Sequence, residues 1–185
     1  MRVKDLFALA LSFGALSVHA DQGEIFLNQH AAQFGYTRPI GVSAGDLSAA
    51  VFFNGDSDLM ANGGLVISGQ PPGQLPFSVA AGAKAYAFHL DNADENVLAG
   101  ALGGRIGYTI PANIPFVASA EAFYAPAITT TGVADDMLDF ALRFEVEFLP
   151  RTSGFIGYRW LNVGLGGRDD AELDNNIHIG LRLNF

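Results

Sequence analysis

The most constraining feature of this chain is a strict alternation of large apolar and charged side chains with a period of two. Between Met137 and Leu149, one face carries only large apolar residues: Leu138, Phe140, Leu142, Phe144, Val146 and Phe148. The other face carries Asp139, Ala141, Arg143, Glu145 and Glu147. A helix would spread these charges around its circumference, whereas successive side chains of a strand point to opposite sides. The segment is therefore predicted to be a β-strand with one apolar and one charged face.

The last ten residues repeat this pattern and end on an aromatic residue. The apolar face carries Ile177, Ile179, Leu181, Leu183 and Phe185, and the opposite face carries His178, Gly180, Arg182 and Asn184. Such a strand suits a wall between lipid and a polar lumen. The ending resembles the C-terminal strand of bacterial outer-membrane β-barrels, where it is the signal read by the barrel assembly machinery. The resemblance implies that Ile179, Leu181, Leu183 and Phe185 form an assembly signal.

The N-terminal residues have the pattern of a secretory signal. Arg2 and Lys4 precede an apolar run, and small residues flank His19 at the position that a signal peptidase inspects. The run is too short for a helical membrane span, which needs about 20 apolar residues. We predict that residues 1–20 are a cleaved signal peptide and that residues 21–185 form one outer-membrane β-barrel domain.

Clusters of Gly, Pro, Asn and Asp divide the mature chain into nine candidate strands, and a bacterial barrel needs an even number. The first segment, residues 24–37, changes phase near His30, which is interpreted as a bulge or as a separate piece at residues 24–29, inside the barrel or across its rim. We predict an all-β fold: a small up-and-down antiparallel transmembrane β-barrel of about eight strands, with ten also allowed.

The charged faces indicate which side of the wall meets lipid. A Lys or Arg facing lipid would cost about 2–4 kcal/mol at the bilayer midplane, whereas charges inside the barrel can pair. If the apolar faces pointed inward instead, they would overfill a small barrel. We therefore predict a charge network in the lumen, and a soluble periplasmic lipocalin-like barrel is the alternative. The predicted network consists of Lys84, Arg105, Glu121, Asp139, Arg143, Glu145, Glu147, Arg159 and Arg182.

The C-terminus sets the predicted sidedness of the turns, since the last strand should end in the periplasm. The turns predicted to lie outside the cell are residues 54–58, 91–96, 126–136 and 166–175. The predicted periplasmic turns are residues 38–41, 70–76, 111–115 and 150–154. The outside loops hold the acidic clusters: Asp91, Asp94, Glu95, Asp135, Asp136, Asp169, Asp170, Glu172 and Asp174. Two interpretations stay open, divalent cations bound by carboxylate oxygens and solvated loops that bind nothing.

Composition excludes several classes of function. The chain has 19 acidic and 10 basic residues and a formal net charge of −9, which argues against nucleic-acid binding. It has no cysteine, so disulfides and cysteine-based metal sites are excluded. No catalytic residue, cofactor or defined metal site is predicted. The mature histidines, His30, His89 and His178, have no recognisable nucleophile setting, and the chain has no Gly-x-Ser-x-Gly motif.

Four short segments resemble the YfaZ family of proteobacterial outer-membrane proteins. They are residues 52–58 (FFNGDSD), 82–86 (GAKAY), 121–126 (EAFYAP) and 157–162 (GYRWLN). The resemblance covers essentially the whole mature chain. It implies a small outer-membrane barrel and supplies no catalytic residue.

We therefore predict a small barrel of the bacterial outer membrane, of structural, interaction or narrow-pore type, with a side-chain-filled and charge-paired lumen. The expected partners are outer-membrane lipid, lipopolysaccharide and the assembly machinery. Some small outer-membrane barrels modify lipids, so a lipid-modifying enzyme is the other alternative, although no enzymatic activity is expected.

Overall fold

The computed structural model describes residues 21–40, 45–69, 76–91, 95–112, 114, 116–167 and 170–185, so the predicted signal peptide lies outside the described residues. Within the described residues, ten antiparallel strands form a closed barrel, in which each strand pairs with its neighbours in sequence and β1 pairs with β10. The strands are β1 Gln22–Leu27, β2 Ala31–Ile40, β3 Gly45–Asn54, β4 Leu59–Gly69, β5 Phe77–Leu90, β6 Glu95–Ile110, β7 Phe116–Pro126, β8 Ala134–Leu149, β9 Thr152–Leu165 and β10 Ala171–Asn184. A short 3₁₀ helix, Ala127–Thr129, follows β7.

The preference for eight strands is wrong, and the alternative of ten is confirmed. The first predicted segment contains two strands, because the chain turns at residues 28–30. The Asn28 Oδ1 atom accepts hydrogen bonds from the backbone N–H groups of His30 (2.8 Å) and Ala31 (2.6 Å), which stabilises this tight turn. The phase change near His30 is thus a hairpin and not a bulge. β1 is part of the wall, since it pairs with β2 on one side and β10 on the other.

The barrel has two distinct ends. The terminal end holds Asp21, where the described residues begin, and Phe185, whose backbone N–H donates a hydrogen bond to the carbonyl of Asp21 (2.8 Å). The turns after β2, β4, β6 and β8 also lie at this end. The distal end holds the turns after β1, β3, β5, β7 and β9. The predicted turns therefore fall into the two groups expected, with the turn at residues 28–30 added to the distal group.

Apolar side chains cover the outside of the barrel. Leu102 is 73% exposed, Phe144 is 56% exposed and Leu181 is 47% exposed. The Arg143 and Arg182 side chains are only 20% and 19% exposed. This is the arrangement of a membrane barrel, and it contradicts the lipocalin-like alternative, in which the apolar faces would fill the interior.

Aromatic residues on the outer surface gather near both ends, as they do at lipid–water interfaces. Phe77 and Tyr108 pack at the terminal end with ring centroids 4.8 Å apart, and Phe34 and Phe53 pack nearer the distal end at 6.3 Å. Phe88, which also stands near the end of its segment, points inward instead and is 3% exposed. No helix among the described residues is long and apolar enough to cross a membrane.

Glycines on the inner surface make room for bulky neighbours across the sheet. Gly157 lies opposite His178, and a Cβ atom at residue 157 would come within 2.5 Å of the His178 Nε2 atom. Gly180 lies opposite Phe155, and a Cβ atom at residue 180 would overlap the phenyl ring. The interior is therefore filled by pairing large residues with glycine, as the limited space inside a small barrel requires.

A polar cluster joins three hairpins at the distal end. The Asn54 Oδ1 atom accepts hydrogen bonds from the N–H groups of Asp56 (3.1 Å) and Asp58 (3.0 Å), which shapes the turn after β3. The buried Asp58 carboxylate accepts a hydrogen bond from the N–H of Asp91 (2.9 Å) in the turn after β5. The Asn54 Nδ2 atom donates to the carbonyl of Leu173 in β10 (3.2 Å). These contacts give residues 54–58 a structural role at this rim.

Candidate functional site

An apolar layer fills the distal half of the lumen. Every strand contributes a buried side chain to this distal layer, which we define as Phe26, Ala31, Phe52, Met60, Phe88, Val97, Phe123, Met137, Leu161 and Leu173. Phe52, Met60 and Phe123 are among the members with no solvent exposure at all. A water-filled passage through the barrel would leave its lining residues exposed. The described side chains of this layer therefore exclude water from the distal half.

Below the distal layer, charged side chains from six strands form ion pairs. We call this group the ionic belt: Glu24, Lys84, Glu121, Asp139, Arg143, Glu145, Arg159 and Arg182. Its most buried pair joins Arg159 to Asp139 through two hydrogen bonds, Nε to Oδ1 at 2.9 Å and Nη2 to Oδ2 at 2.8 Å. Tyr86 donates a hydrogen bond to the same carboxylate (3.0 Å), and Arg159 donates another to the Gln33 side chain (2.7 Å).

Glu24 joins two arginines of the ionic belt. Its carboxylate accepts two hydrogen bonds from Arg143, at 2.6 and 2.7 Å, and two more from Arg182, at 2.9 and 3.2 Å. Arg182 also donates to Glu145 at 2.7 Å. The four groups form one chain of charge-assisted hydrogen bonds across β1, β8 and β10, and such bonds are the stronger kind in proteins.

The other predicted lumen charges have different surroundings. Lys84 pairs with Glu121. Arg105 lines the lumen, but no ion pair or hydrogen bond involves its side chain among the described residues. Glu147 is exposed at the terminal end and accepts a hydrogen bond from the backbone N–H of Arg151 (3.3 Å), so it is not part of the ionic belt.

The predicted assembly residues Ile179, Leu181, Leu183 and Phe185 lie on the outer surface of the last strand or just after it, at 63%, 47%, 52% and 64% exposure.

Three cations of the ionic belt lie over aromatic rings inside the lumen. The Lys84 Nζ atom lies 4.1 Å from the centroid of the Phe123 ring, and the Arg159 guanidinium carbon lies 5.3 Å from that of Phe52. The Arg143 guanidinium carbon lies 4.0 Å from the Phe155 centroid. Cations at these distances are attracted to the faces of the rings. The contacts of Lys84 with Phe123 and of Arg159 with Phe52 couple the ionic belt to the distal layer.

The terminal half of the lumen contains a polar cavity of about 350 Å³. Its lining extends to the terminal ends of the strands, since Gln22, Asp46, Ser78 and Val117 lie within the first two residues of β1, β3, β5 and β7. The ionic belt lines the cavity, together with Arg105, Asp46 and several hydroxyl and amide side chains. The cavity thus extends from the terminal ends of the strands into the lumen and ends at the distal layer.

His178 lies at the boundary between the cavity and the distal layer. It is 2% exposed, it lines the cavity, and its ring stacks on Phe26 with centroids 4.3 Å apart. Neither ring nitrogen has a hydrogen-bond partner among the described residues. The nitrogens therefore do not belong to a nucleophile–base pair with any described residue, and both are buried away from the solvent.

Sequence reasoning missed several residues that hold the lumen together. Arg143 pairs with Glu24 of β1, which was not in the predicted network. Gln33 and Tyr86 bond the Arg159–Asp139 pair and were not in the predicted network. A signal for Glu24 was present: if residues 22–27 are treated as a separate strand, Ile25 and Leu27 form an outer row and Glu24 falls on the inner face.

Asp174 is not in a solvated loop as predicted. It is 2% exposed within β10, at a register shift, and it accepts hydrogen bonds from Asn28 (3.0 Å) and Asn176 (3.1 Å). β10 begins at Ala171, so the distal turn is shorter than the predicted 166–175. Asp94 and Asp169 of the acidic loops lie outside the described residues. Among the residues that are described, no group of three or more His, Asp or Glu side chains could hold a metal ion.

Replacing Glu24 with Gln is expected to lower the free energy of unfolding by about 2–3 kcal/mol, the scale of hydrogen bonds to charged groups. The substitution keeps the shape but removes the charge shared by Arg143 and Arg182. Equilibrium unfolding of the purified barrel in detergent measures the change. Glu147→Gln is the matched control, because Glu147 is exposed and accepts only a long backbone hydrogen bond. Equal stability of the two variants would contradict the assigned role of Glu24.

Comparison with known proteins gives one family and two structures. A family model described as "YfaZ precursor" matches residues 2–185. No curated protein sequence matches the chain. The outer membrane channel DcaP of Acinetobacter baumannii is 12% identical with a TM-score of 0.41, over 88% of this chain and 54% of the DcaP chain. This chain thus spans about half the length of that protein. The NanC porin is 14% identical with a TM-score of 0.45, over 91% of this chain and 100% of the NanC chain.

Proposed function

The chain belongs to the YfaZ family and is a small β-barrel of the bacterial outer membrane, and from this premise we propose that it is a closed barrel of structural or interaction type and not a pore. The observation that carries the proposal is the distal layer, to which all ten strands contribute a buried side chain. Small membrane barrels are commonly filled by side chains, whereas open channels come with many more strands. The ionic belt adds a second obstacle, because its side chains are held in pairs.

The barrel is proposed to sit with its terminal end in the periplasm, which is usual for an even number of strands. The cavity then faces the periplasm and the distal layer closes the outer side. The outward apolar side chains are proposed to contact outer-membrane lipid and lipopolysaccharide. Binding of divalent cations at the acidic loops stays an expectation. The described residues contain no group of three or more His, Asp or Glu side chains that could hold a metal ion.

Planar-bilayer recording tests the closure. The wild-type barrel is expected to show no steady conductance steps. A Phe52→Ala, Phe123→Ala variant is expected to conduct, because it removes two rings that are fully buried in the distal layer. The matched control is Phe53→Ala, Phe116→Ala, which removes two outward rings, 44% and 43% exposed, and is expected to stay closed. Steady conductance of the wild-type protein would overturn the proposal in favour of a narrow pore.

A lipid-modifying enzyme is the less supported alternative. Among the described residues, His178 has no hydrogen-bonded nucleophile, and His89 contacts only the Asn96 side chain (3.1 Å). A hydrolase would need a nucleophile and a base within hydrogen-bond reach. The mass spectrum of lipid A and phospholipids from overexpressing cells separates the two functions. Unchanged masses are expected, and a new species that depends on a histidine would support the enzyme.

A further inference from the structure

Two opposite charges in the cavity have no partner among the described residues, although every other charged group that lines it is paired. The paired groups are the eight members of the ionic belt, four basic and four acidic. The two that remain are Arg105 on β6 and Asp46 on β3, whose side chains have no ion pair or hydrogen bond among the described residues. We propose that the cavity binds a small zwitterion, with its phosphate or carboxylate on Arg105 and its ammonium group on Asp46.

The acidic side chain across the strand pair from Arg105 is bonded to another cation. Glu121 lies directly across from Arg105 in the register of β6 and β7, but its carboxylate is held by the Lys84 ammonium. Arg105 therefore keeps its full set of donors directed at the cavity. A guanidinium presents paired N–H groups that match a carboxylate or a phosphate, and this geometry favours an acidic group as its ligand.

The charge balance of the cavity favours a zwitterion over a simple anion or cation. Its lining holds five basic and five acidic groups, so its overall charge is zero. An anion alone would satisfy Arg105 and leave Asp46 unpaired, and a cation alone would do the reverse. A ligand that carries both charges satisfies both side chains and adds no net charge to a partly desolvated site.

Arg105 and Asp46 lie on strands that are separated around the wall of the barrel. β3 and β6 are three strand spacings apart, which is about 14 Å along the wall at the usual spacing of about 4.8 Å. Both side chains line the lumen, so their charged ends approach each other more closely than their backbones do. No ion pair joins Arg105 to Asp46 among the described residues, so one ligand would have to bridge the two side chains.

The cavity has the size and the lining of a small-ligand site. Its volume of about 350 Å³ falls at the lower end of the usual range for ligand pockets, about 300–1,000 Å³. Ser48, Ser78 and Ser119 supply hydroxyl groups.

Isothermal titration calorimetry on the full mature barrel in detergent tests the proposal. The zwitterionic probes are β-alanine, γ-aminobutyrate and glycerophosphoethanolamine, and the singly charged probes are acetate, glycerol phosphate and ethylamine. At least one zwitterion is expected to bind saturably and at least about tenfold more tightly than any singly charged probe. Tightest binding of glycerophosphoethanolamine would indicate a lipid headgroup, and tightest binding of an amino acid would indicate a free solute. Either outcome supports the zwitterion.

Two variants locate the binding site. Arg105→Gln and Asp46→Asn are each expected to weaken binding at least about tenfold. The matched controls are Arg151→Gln and Asp56→Asn, which alter exposed turn residues outside the cavity and are expected to bind as the wild type does. Heat-modifiable migration on gels checks that each variant is folded. Arg105→Lys provides a second folded variant, and it should retain part of the affinity because it keeps the positive charge.

The proposal is overturned if no zwitterion binds the folded wild-type barrel, if acetate or ethylamine binds as tightly, or if both cavity variants bind normally. These outcomes are separate from the conductance test, because a barrel that conducts can still bind a zwitterion and a closed barrel can fail to bind one.

Discussion

Arg159→Met is expected to lower the free energy of unfolding by about 3–5 kcal/mol, the usual cost of breaking a buried ion pair by removing one partner. The Arg159 and Asp139 side chains are only 5% and 8% exposed, so water cannot replace the lost guanidinium. Asp139 would keep one hydrogen bond, from Tyr86, and would stay as an uncompensated negative charge. Equilibrium unfolding in detergent or lipid vesicles measures the loss.

A second variant separates the charge effect from packing. Combining Arg159→Met with Asp139→Leu and Tyr86→Phe removes the ion pair and its tyrosine hydrogen bond, and only the part-buried Gln33 side chain loses a partner. Replacing a buried ion pair by apolar residues of similar volume is often neutral or stabilising. The triple variant is therefore expected to be more stable than Arg159→Met alone. If the triple variant is the less stable one, the loss comes from packing and not from an unpaired charge.

Arg105→Met is the matched control for this experiment. It makes the same replacement on the inner surface of the barrel, but Arg105 has no ion pair among the described residues. The expected loss of stability is therefore small. A loss as large as that of Arg159→Met would mean that any inward arginine stabilises the barrel, whatever its partners.

Deleting Phe185 is expected to reduce the amount of folded protein in the outer membrane severalfold. The last strand resembles the signal that the barrel assembly machinery reads in outer-membrane barrels, and this residue ends it. The folded barrel itself depends little on Phe185. Its side chain is 64% exposed, and its backbone N–H makes one hydrogen bond, to the carbonyl of Asp21. One such hydrogen bond contributes about 1 kcal/mol.

The contrast between cells and purified protein makes this prediction specific. The deleted variant should refold in detergent with nearly normal stability, while cells should accumulate less of it in the outer membrane. Phe185→Ala should behave similarly in cells, and Phe148→Ala, which removes another exposed ring at the terminal end of the barrel, should not. Normal outer-membrane levels of the Phe185 deletion would argue against a C-terminal assembly signal.

The strands were predictable where a charge marks one face and a Gly- or Pro-containing turn marks the ends. Residues 137–149 show both signals, and they lie within β8 of the structure. The hairpin between β1 and β2 has neither Gly nor Pro, because the Asn28 side chain stabilises its turn. The prediction therefore fused the two strands and placed the strand count below ten.

The inner face of each strand was predictable, but the partners across the lumen were not. Alternation placed Arg143 and Arg182 inside the barrel, and both lie there. Their shared partner is Glu24, more than a hundred residues away in the chain. That contact exists because β1 closes the barrel against β10, which brings the first and last strands side by side.

The amino-acid sequence by itself determined that the chain forms strands and which side of most strands meets lipid. These properties follow from local alternation, since each side chain along a strand points to the opposite side from its neighbour. Only the tertiary structure decided the number of strands, the pairing of the charges and the division of the lumen into an apolar layer and a polar cavity. The strand count, the charge pairs and the lumen depend on which residues of different strands come to the same side and the same height of the barrel. Barrel closure and strand stagger set these positions for all strands together.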